Sequence, residues 1–355
     1  MSTPLLENIL AQPSALQIVA DYQLGPGLAT LRRCAELLKA AKRIVLTGMG
    51  ASLFACGPMR YVLAGRGIDI SVVETAELLH FLDALAAQGT VLVLVSRSGE
   101  SIETVKLLER VRCKTIGVTN VPNTTLADRT SEHILLNSPS DQLVAVQTYI
   151  ASVVTLLFLA AAYLDDLDSV KADLDATIHL LPAWIDGTIS ASKTWQSFIN
   201  LTSSLYILGR GPGLPSVDEG VLLMHEVAKT PAVGMSVAQF RHGFVEAADK
   251  NIRAVIIGTQ PATRQLDQQF AEDLHRMGAA VCWIGQPLAS PGVMTLGHWQ
   301  ENVPARFASV FEVIPLQLLA YRAAESRGII PGTFRWASTV TGSEAGFPGL
   351  GASHL

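Results

Sequence analysis

Residues 91–111 constrain the fold more than any other stretch. Val91-Leu92-Val93-Leu94-Val95 is a continuous apolar run alternating β-branched valine with leucine. That is the pattern of a parallel strand buried on both faces. Ser96-Arg97-Ser98-Gly99-Glu100-Ser101 follows as a tight turn, and Ile102 to Val111 carries apolar residues at helical spacing. The first turn of such a helix has unpaired N–H groups and the positive end of the dipole. Adding the hydroxyls of Ser96, Ser98 and Ser101 makes an anion site, most naturally for a phosphate. One serine in this place reads as a helix N-cap. Three serines and a glycine after a buried strand exceed what a cap requires. The turn is neither a G-x-x-x-x-G-K-[ST] loop nor the dinucleotide fingerprint. It offers no metal cage and no nucleophile with an adjacent base.

The surrounding chain repeats this strand-to-helix handover. Arg43–Thr47 reads as a first strand, followed by Gly48-Met49-Gly50-Ala51-Ser52 and a helix from about Leu53 to Ala64. Strands follow at Ile70–Val73, Lys114–Thr119 and His133–Leu136, with helices between them, and Leu28–Lys42 precedes them as a helix. Alternation with short loops implies a parallel, doubly wound α/β sheet. Ligands then sit outside the carboxyl ends of the strands, where the Thr47–Ser52 and Ser96–Ser101 loops both lie. The pattern restarts after a helix at 167–191 that contains Pro182. Ser204–Gly211 echoes Arg43–Gly50. Helices at 216–229, 263–277 and 307–327 and strands at 253–258 and 279–284 follow. The second copy has Gly258-Thr259-Gln260-Pro261-Ala262-Thr263 in place of the serine turn, so the first copy alone is expected to hold phosphate. The expected organisation is an N-terminal arm (1–30), a phosphate-binding domain (31–165), a connecting helix (166–195), a second domain (196–335) and a tail (336–355). One site per chain, walled by both domains, is expected.

Composition narrows the class. A chain of 355 residues with 49% hydrophobic and 16% charged residues has material for two sizeable cores. The net charge of −5 and the lack of a basic cluster argue against nucleic acid or an anionic membrane as partner. Cys34, Cys56, Cys113 and Cys282 are scattered without a C-x-x-C, which argues against zinc or a disulfide framework and fits a reducing, cytoplasmic setting. Residues 1–20 lack the basic region of a signal peptide. Leu143–Leu164 is apolar and long enough to span a bilayer. It is interrupted by Gln147, Thr148 and Tyr149 and flanked by Asp141, Asp165 and Asp166 rather than by basic residues. It therefore reads as a buried helix.

Two titratable groups in the second half could carry chemistry. Glu219, Leu223 and Glu226 share a helix face by spacing. Glu226, set among buried residues, could act as a base near neutrality, although charged helix residues are usually solvated. His242, in Ala238-Gln239-Phe240-Arg241-His242-Gly243-Phe244, titrates near physiological pH and could shuttle a proton or open a sugar ring. A lone histidine is more often structural.

Together these pieces resemble the double sugar isomerase (SIS) family, in particular the isomerase half of glucosamine-6-phosphate synthase. The matching residues are Glu7-Asn8-Ile9-Leu10-Ala11-Gln12-Pro13, Ser96–Ser101 (as S-x-S-G-[ED]-[ST]), Asn120-Val121-Pro122, Gly209-Arg210-Gly211, Glu219-Gly220 with Glu226, Arg241-His242-Gly243 and Pro315–Tyr321. The resemblance implies two flavodoxin-like doubly wound parallel-sheet domains in tandem. It implies that Ser96, Ser98 and Ser101 grip the phosphate of a sugar. Thr47, Met49, Gly50, Ser52, Arg97 and Ala337 would line the same pocket. Glu226 falls on the family's catalytic glutamate and His242 on its ring-opening histidine. In the family that histidine often serves the active site of a dimer partner, which implies a homodimer. No metal or organic cofactor is implied.

The departures from that pattern bear on the reaction. Residue 2 is Ser2 and the chain opens at the sugar-binding part, so the synthase's glutaminase domain is not expected in it. Leu223 stands where the synthase has a lysine, and no lysine follows Lys250, so the tail Trp336–Thr341 lacks the synthase's imine-forming lysine. The fructosamine-6-phosphate deglycases, which keep the glutamate and the R-H-G motif without the first lysine, are similar in this respect. Their substrate already carries the nitrogen, so a glutamate beside the substrate imine suffices. The expectation is an enzyme on a phosphorylated amino sugar or fructosamine: a deglycase, deaminase or ketose–aldose isomerase. The alternative is a non-catalytic phosphosugar sensor, because fold alone does not choose between these roles. No helix-turn-helix is evident.

Overall fold

The structure, a computed structural model, describes residues 3–200, 202–297, 299–336 and 341–345. It contains two five-stranded parallel sheets, and the chain divides into two compact units. One unit comprises residues from Ser14 to Lys171 and from Thr333 onward. The other comprises residues up to Pro13 and Ala172–Gly332.

The first sheet is built from β1 (Arg43–Gly48), β2 (Ile70–Glu74), β3 (Thr90–Val95), β4 (Lys114–Thr119) and β5 (Glu132–Leu135). Their order is β2-β1-β3-β4-β5, all parallel. The direction of winding reverses between β1 and β3, as in flavodoxin-like sheets, and a crevice opens there outside the carboxyl ends. Every residue of β3 is buried, as its unbroken apolar run predicts. Val45, Leu92 and Leu94 pack on one side against Leu78, Leu79, Leu107, Leu108 and Leu126 from the helices Thr75–His80, Ile102–Arg110 and Thr125–Arg129. The helix Gln147–Tyr163 packs against Leu28–Lys39 and Gly57–Ala64 and is buried along all but its last residue. Its apolar length is core. Asp141 caps it by accepting from the N–H groups of Val146, Gln147 and Thr148 and from the Thr148 hydroxyl at 2.6–3.0 Å.

The second sheet has β6 (Ser204–Gly209), β7 (Ala232–Ser236), β8 (Ile252–Ile257), β9 (Ala280–Ile284) and β10 (Met294–Thr295). Their order β7-β6-β8-β9-β10, again all parallel, repeats the first topology. Trp283, Phe240 and Phe270 fill one face with Leu208, Ile256 and Leu274. On the other face the helices Leu214–Glu226 and Ala308–Ser326 pack together. A Cβ on Gly220 would lie 2.9 Å from Leu316, so glycine sets that close approach. The N-terminal helix Pro4–Leu10 belongs to this unit, and Gln12 donates from Nε2 to Gln317 Oε1 at 2.9 Å. Among the described residues one helix, Ala305–Ser326, is long and apolar enough to cross a membrane, and 94% of its apolar window is buried in the protein.

Two sequence expectations need correction. The helix expected over 53–64 is two helices, Ala51–Phe54 and Gly57–Ala64. Pro58 lacks an N–H and starts a helix more readily than it continues one. The second sheet also has strands at Ala232–Ser236 and Met294–Thr295 that the hydrophobic pattern does not show. β7 is a half-exposed edge strand with Gly234 at its centre, and β10 has two residues, too few for periodicity.

Candidate functional site

β1 and β3 end side by side, with Gly48 paired in register with Val95. The loops that follow them flank the switch-point crevice of the first sheet. After β1, Met49 is half-buried and Gly50, at φ 51°, begins the turn into Ala51–Phe54. A Cβ on Gly48 would come within 2.9 Å of the backbone of Leu53 and Val95, so this loop lies tight against its neighbours. Ser52 is half-buried, and its carbonyl accepts from the Cys56 thiol. Thr47 is fully buried and shares a 3.0 Å hydroxyl–hydroxyl hydrogen bond with Thr75.

After β3, Ser96 is 4% exposed, and its hydroxyl accepts from the Gly99 N–H at 3.2 Å. The Ser98 hydroxyl accepts from the Glu100 N–H at 3.3 Å. Ser101 occupies the N-cap position of Ile102–Arg110 with extended dihedrals, yet its side chain makes no capping bond. Its hydroxyl instead lies 3.4 Å from that of Ser96. The Ile102 N–H donates to the carbonyl of Thr341, so the tail returns to this helix start. Among the described residues the N–H groups of Glu103 and Thr104 have no acceptor, and they point where a helix N-terminus attracts an anion. Arg97 donates from Nη1 to the Leu143 carbonyl at 2.9 Å, which orients its guanidinium along this edge. The structure therefore brings Ser96, Arg97, Ser98 and Ser101 together in one turn, with Met49, Gly50 and Ser52 in the loop beside it. Ala337 lies outside the described residues.

Sequence reasoning misses the braces of this turn. Glu100 accepts from the Thr125 N–H at 2.6 Å and from the Thr125 hydroxyl at 2.8 Å, joining the turn to the next helix. Glu344 pairs with both His80 and Lys106 and holds the returning tail. These contacts span 25 to 264 residues, a separation at which no local spacing signals them.

Glu226 and His242 belong to the other unit. Helix Leu214–Glu226 starts after the carboxyl end of β6 and runs back toward the edge where β7 begins. Glu219 and Leu223 on it are 1% exposed, and Glu226 closes it half-buried. His242 follows the carboxyl end of β7 and the short helix Val237–Arg241, on an exposed corner completed by Gly243 at φ 107°. The topology thus sets these two residues at opposite edges of their own sheet.

The equivalent crevice of the second sheet is filled from within. Glu312 is fully buried and accepts from the Ser216 hydroxyl at 2.5 Å and from the Thr259 hydroxyl. Ser216 lies in the first turn of the helix after β6, and Thr259 in the loop after β8. The chain's own carboxyl group therefore bridges the two loops that correspond to the Thr47–Ser52 and Ser96–Ser101 loops of the first sheet. Arg210 and Thr263 are likewise engaged, both donating to Asp267.

Residues 37–164 match the family model described as the SIS domain. The chain is 29% identical over 353 residues to a glutamine–fructose-6-phosphate aminotransferase (isomerizing) of Pyrobaculum aerophilum, covering 95% of this chain and 57% of that protein. It thus spans little more than half the length of the curated relatives it matches. Among solved structures, the C-terminal domain of glucosamine-fructose-6-phosphate aminotransferase from Francisella tularensis superposes with a TM-score of 0.80 at 20% identity, over 92% of this chain and 97% of that one. Glucosamine-6-phosphate deaminase from Thermotoga maritima does so with a TM-score of 0.76 at 16% identity, over 95% and 99%. The sheet that carries the serine turn lies within the stretch that matches the SIS domain, in a chain whose fold is similar to that of these aminotransferase and deaminase structures.

Proposed function

We propose that this protein is an enzyme acting on a phosphorylated amino sugar or fructosamine 6-phosphate, as a deglycase, deaminase or ketose–aldose isomerase. The observation that carries the proposal is the serine turn, where Ser101 sits at a helix N-terminus with its hydroxyl uncommitted to capping. Ser96, Ser98 and Ser101 bind the phosphate, with Arg97, Thr47, Met49, Gly50 and Ser52 around it. Glu226 moves a proton between C1 and C2 of the substrate, and His242 assists ring opening. No metal or cofactor takes part.

Leu223 favours the nitrogen-bearing substrates within this class. It is 1% exposed and apolar where the synthases place an amine, so the imine nitrogen is supplied by the substrate. The opposite-edge placement of Glu226 and His242 supports a homodimer in which each active site draws its histidine from the partner. Four free cysteines and no disulfide among the described residues suit a cytoplasmic setting.

The test is a panel of fructose, glucosamine, galactosamine and fructosamine 6-phosphates, each against its unphosphorylated form, read by thermal shift. A ligand at a hundredfold over its dissociation constant stabilises by about 2.7 kcal/mol. The expected result is a shift with one phosphorylated amino sugar that Ser98→Ala removes. That sugar is then assayed for ammonia, amine or isomer release. No shift with any phosphosugar would overturn the proposal.

A further inference from the structure

A second cleft lies at the amino edge of the second sheet, within its own unit. It has a volume of about 580 Å³, inside the range of about 300–1,000 Å³ usual for small-molecule sites. Its lining includes Arg253, Arg327, Ser203, Thr230, Ser326 and Met224, and among the described residues no carboxylate. Arg253 stands near the start of β8 and is 6% exposed. It donates to the carbonyls of Phe198, Ile199 and Ser203 at 2.9–3.3 Å. Arg327 donates from Nη1 to the carbonyls of Ala228 and Lys229 and to the Thr230 hydroxyl.

Capping the ends of the helices Gln196–Ile199 and Leu214–Glu226 explains these bonds. It does not explain why two full positive charges face one cleft without an acid. A buried guanidinium is costly without a counter-charge, and carbonyl dipoles offset only part of it. Burial accordingly pushes the Arg253 pKa down. Arg327 commits one of its three nitrogens, which leaves Nε and Nη2 as a fork suited to bidentate phosphate recognition.

We propose that this cleft binds a phosphorylated small molecule, with the phosphate held by Arg253 and Arg327 and the remainder lying over Met224. The site is separate from the serine turn, and its occupancy does not depend on the function proposed for that turn. Arg327 also holds the backbone just beyond Glu226, so occupancy bears on the end of that helix.

The test uses the full-length Ser98→Ala/Ser101→Ala variant, which removes two of the three serine hydroxyls of the first site. Inorganic phosphate, AMP, glucose 6-phosphate and citrate are titrated into it by calorimetry and thermal shift. The expected result is binding of AMP or glucose 6-phosphate that weakens about tenfold or more in Arg327→Gln. Ser326→Trp, made at an exposed position in the cleft wall, must also block it. If no phosphorylated probe binds, or if binding persists in both variants, the proposal falls. Citrate binding as tightly as the phosphate esters overturns the phosphate assignment, and inorganic phosphate binding as tightly as either ester overturns the small-molecule assignment.

Discussion

The hydroxyl oxygens of Ser96 and Ser101 lie 3.4 Å apart across the turn between β3 and its helix. A capping serine spends its oxygen on an N–H of the first helical turn, and replacing it by alanine typically costs about 1 kcal/mol. Ser101 makes no such bond. Ser101→Ala is therefore expected to leave the melting temperature nearly unchanged while weakening phosphosugar affinity by roughly 10-fold to 100-fold, the usual worth of a hydrogen bond to a charged group. Parallel thermal melts and ligand titrations separate the two roles. A melting temperature that falls with no loss of affinity would make the residue a cap.

Gly99 is predicted to be irreplaceable in the same turn. It adopts φ 70°, and a Cβ there would lie 2.3 Å from Thr124 Oγ1. Thr124 does not retreat freely, because that oxygen accepts from the Ala127 N–H and caps the helix Thr125–Arg129. Gly99→Ala should cost about 1–3 kcal/mol and abolish phosphosugar binding by distorting the turn. Thr124→Ala alone loses a cap, at about 1 kcal/mol. In the double variant the Oγ1 contact is gone and the 2.7 Å approach to the residue-124 Cβ remains, so part of the clash is relieved and the two losses should sum to more than the measured one. Strict additivity in denaturant titrations would show that the glycine is not pressed against Thr124.

The serine turn and both sheets were largely legible in the sequence, and the reasons are local. β3 and its turn announce themselves because a strand buried on both faces is an unbroken apolar run, and a helix start with three serines is short-range chemistry. Strand β4 has the bounds expected from its pattern, Lys114–Thr119. β7 was hidden because an edge strand is half-exposed and Gly234 breaks its pattern. A Cβ at Gly234 would press to 3.0 Å on Val217 and Val221, so a packing need of the neighbouring helix overrides strand propensity there. The Glu100–Thr125 brace, the Thr341 carbonyl on Ile102 and Glu312 in the second crevice are long-range pairings, and no periodicity encodes them.

Glu226→Gln is expected to lower kcat by about 10²–10⁴ while leaving phosphosugar binding nearly intact, since a general base contributes on that scale and the amide keeps the shape. Turnover at the wild-type level would remove Glu226 from the role of base. Because Glu226 and His242 lie at opposite edges of their sheet, mixed dimers give a second reading. Glu226→Gln and His242→Ala proteins, each inactive alone, should regain part of the activity when unfolded and refolded together, since some sites then receive both intact groups. No recovery in verified mixed dimers would place both groups in the active site of one chain.

Glu312 makes the stability of the second unit dependent on pH. Burial raises its pKa above the ordinary 4.5, and this outweighs the hydrogen bonds donated by Ser216 and Thr259, which favour the charged form. The folded state therefore holds a proton that the unfolded chain gives up first. Below the unfolded value both states are protonated, and the stabilisation is fully present. As pH rises past 4.5 the unfolded chain ionises alone, and stability is lost until pH passes through the folded pKa. Glu312→Gln keeps the shape without the proton equilibrium. Its melting temperature relative to the wild type should rise as pH climbs above 4.5 and level off once pH has passed the raised folded pKa. A difference that stays flat across that range would mean that Glu312 is held charged, with Ser216 and Thr259 outweighing its burial.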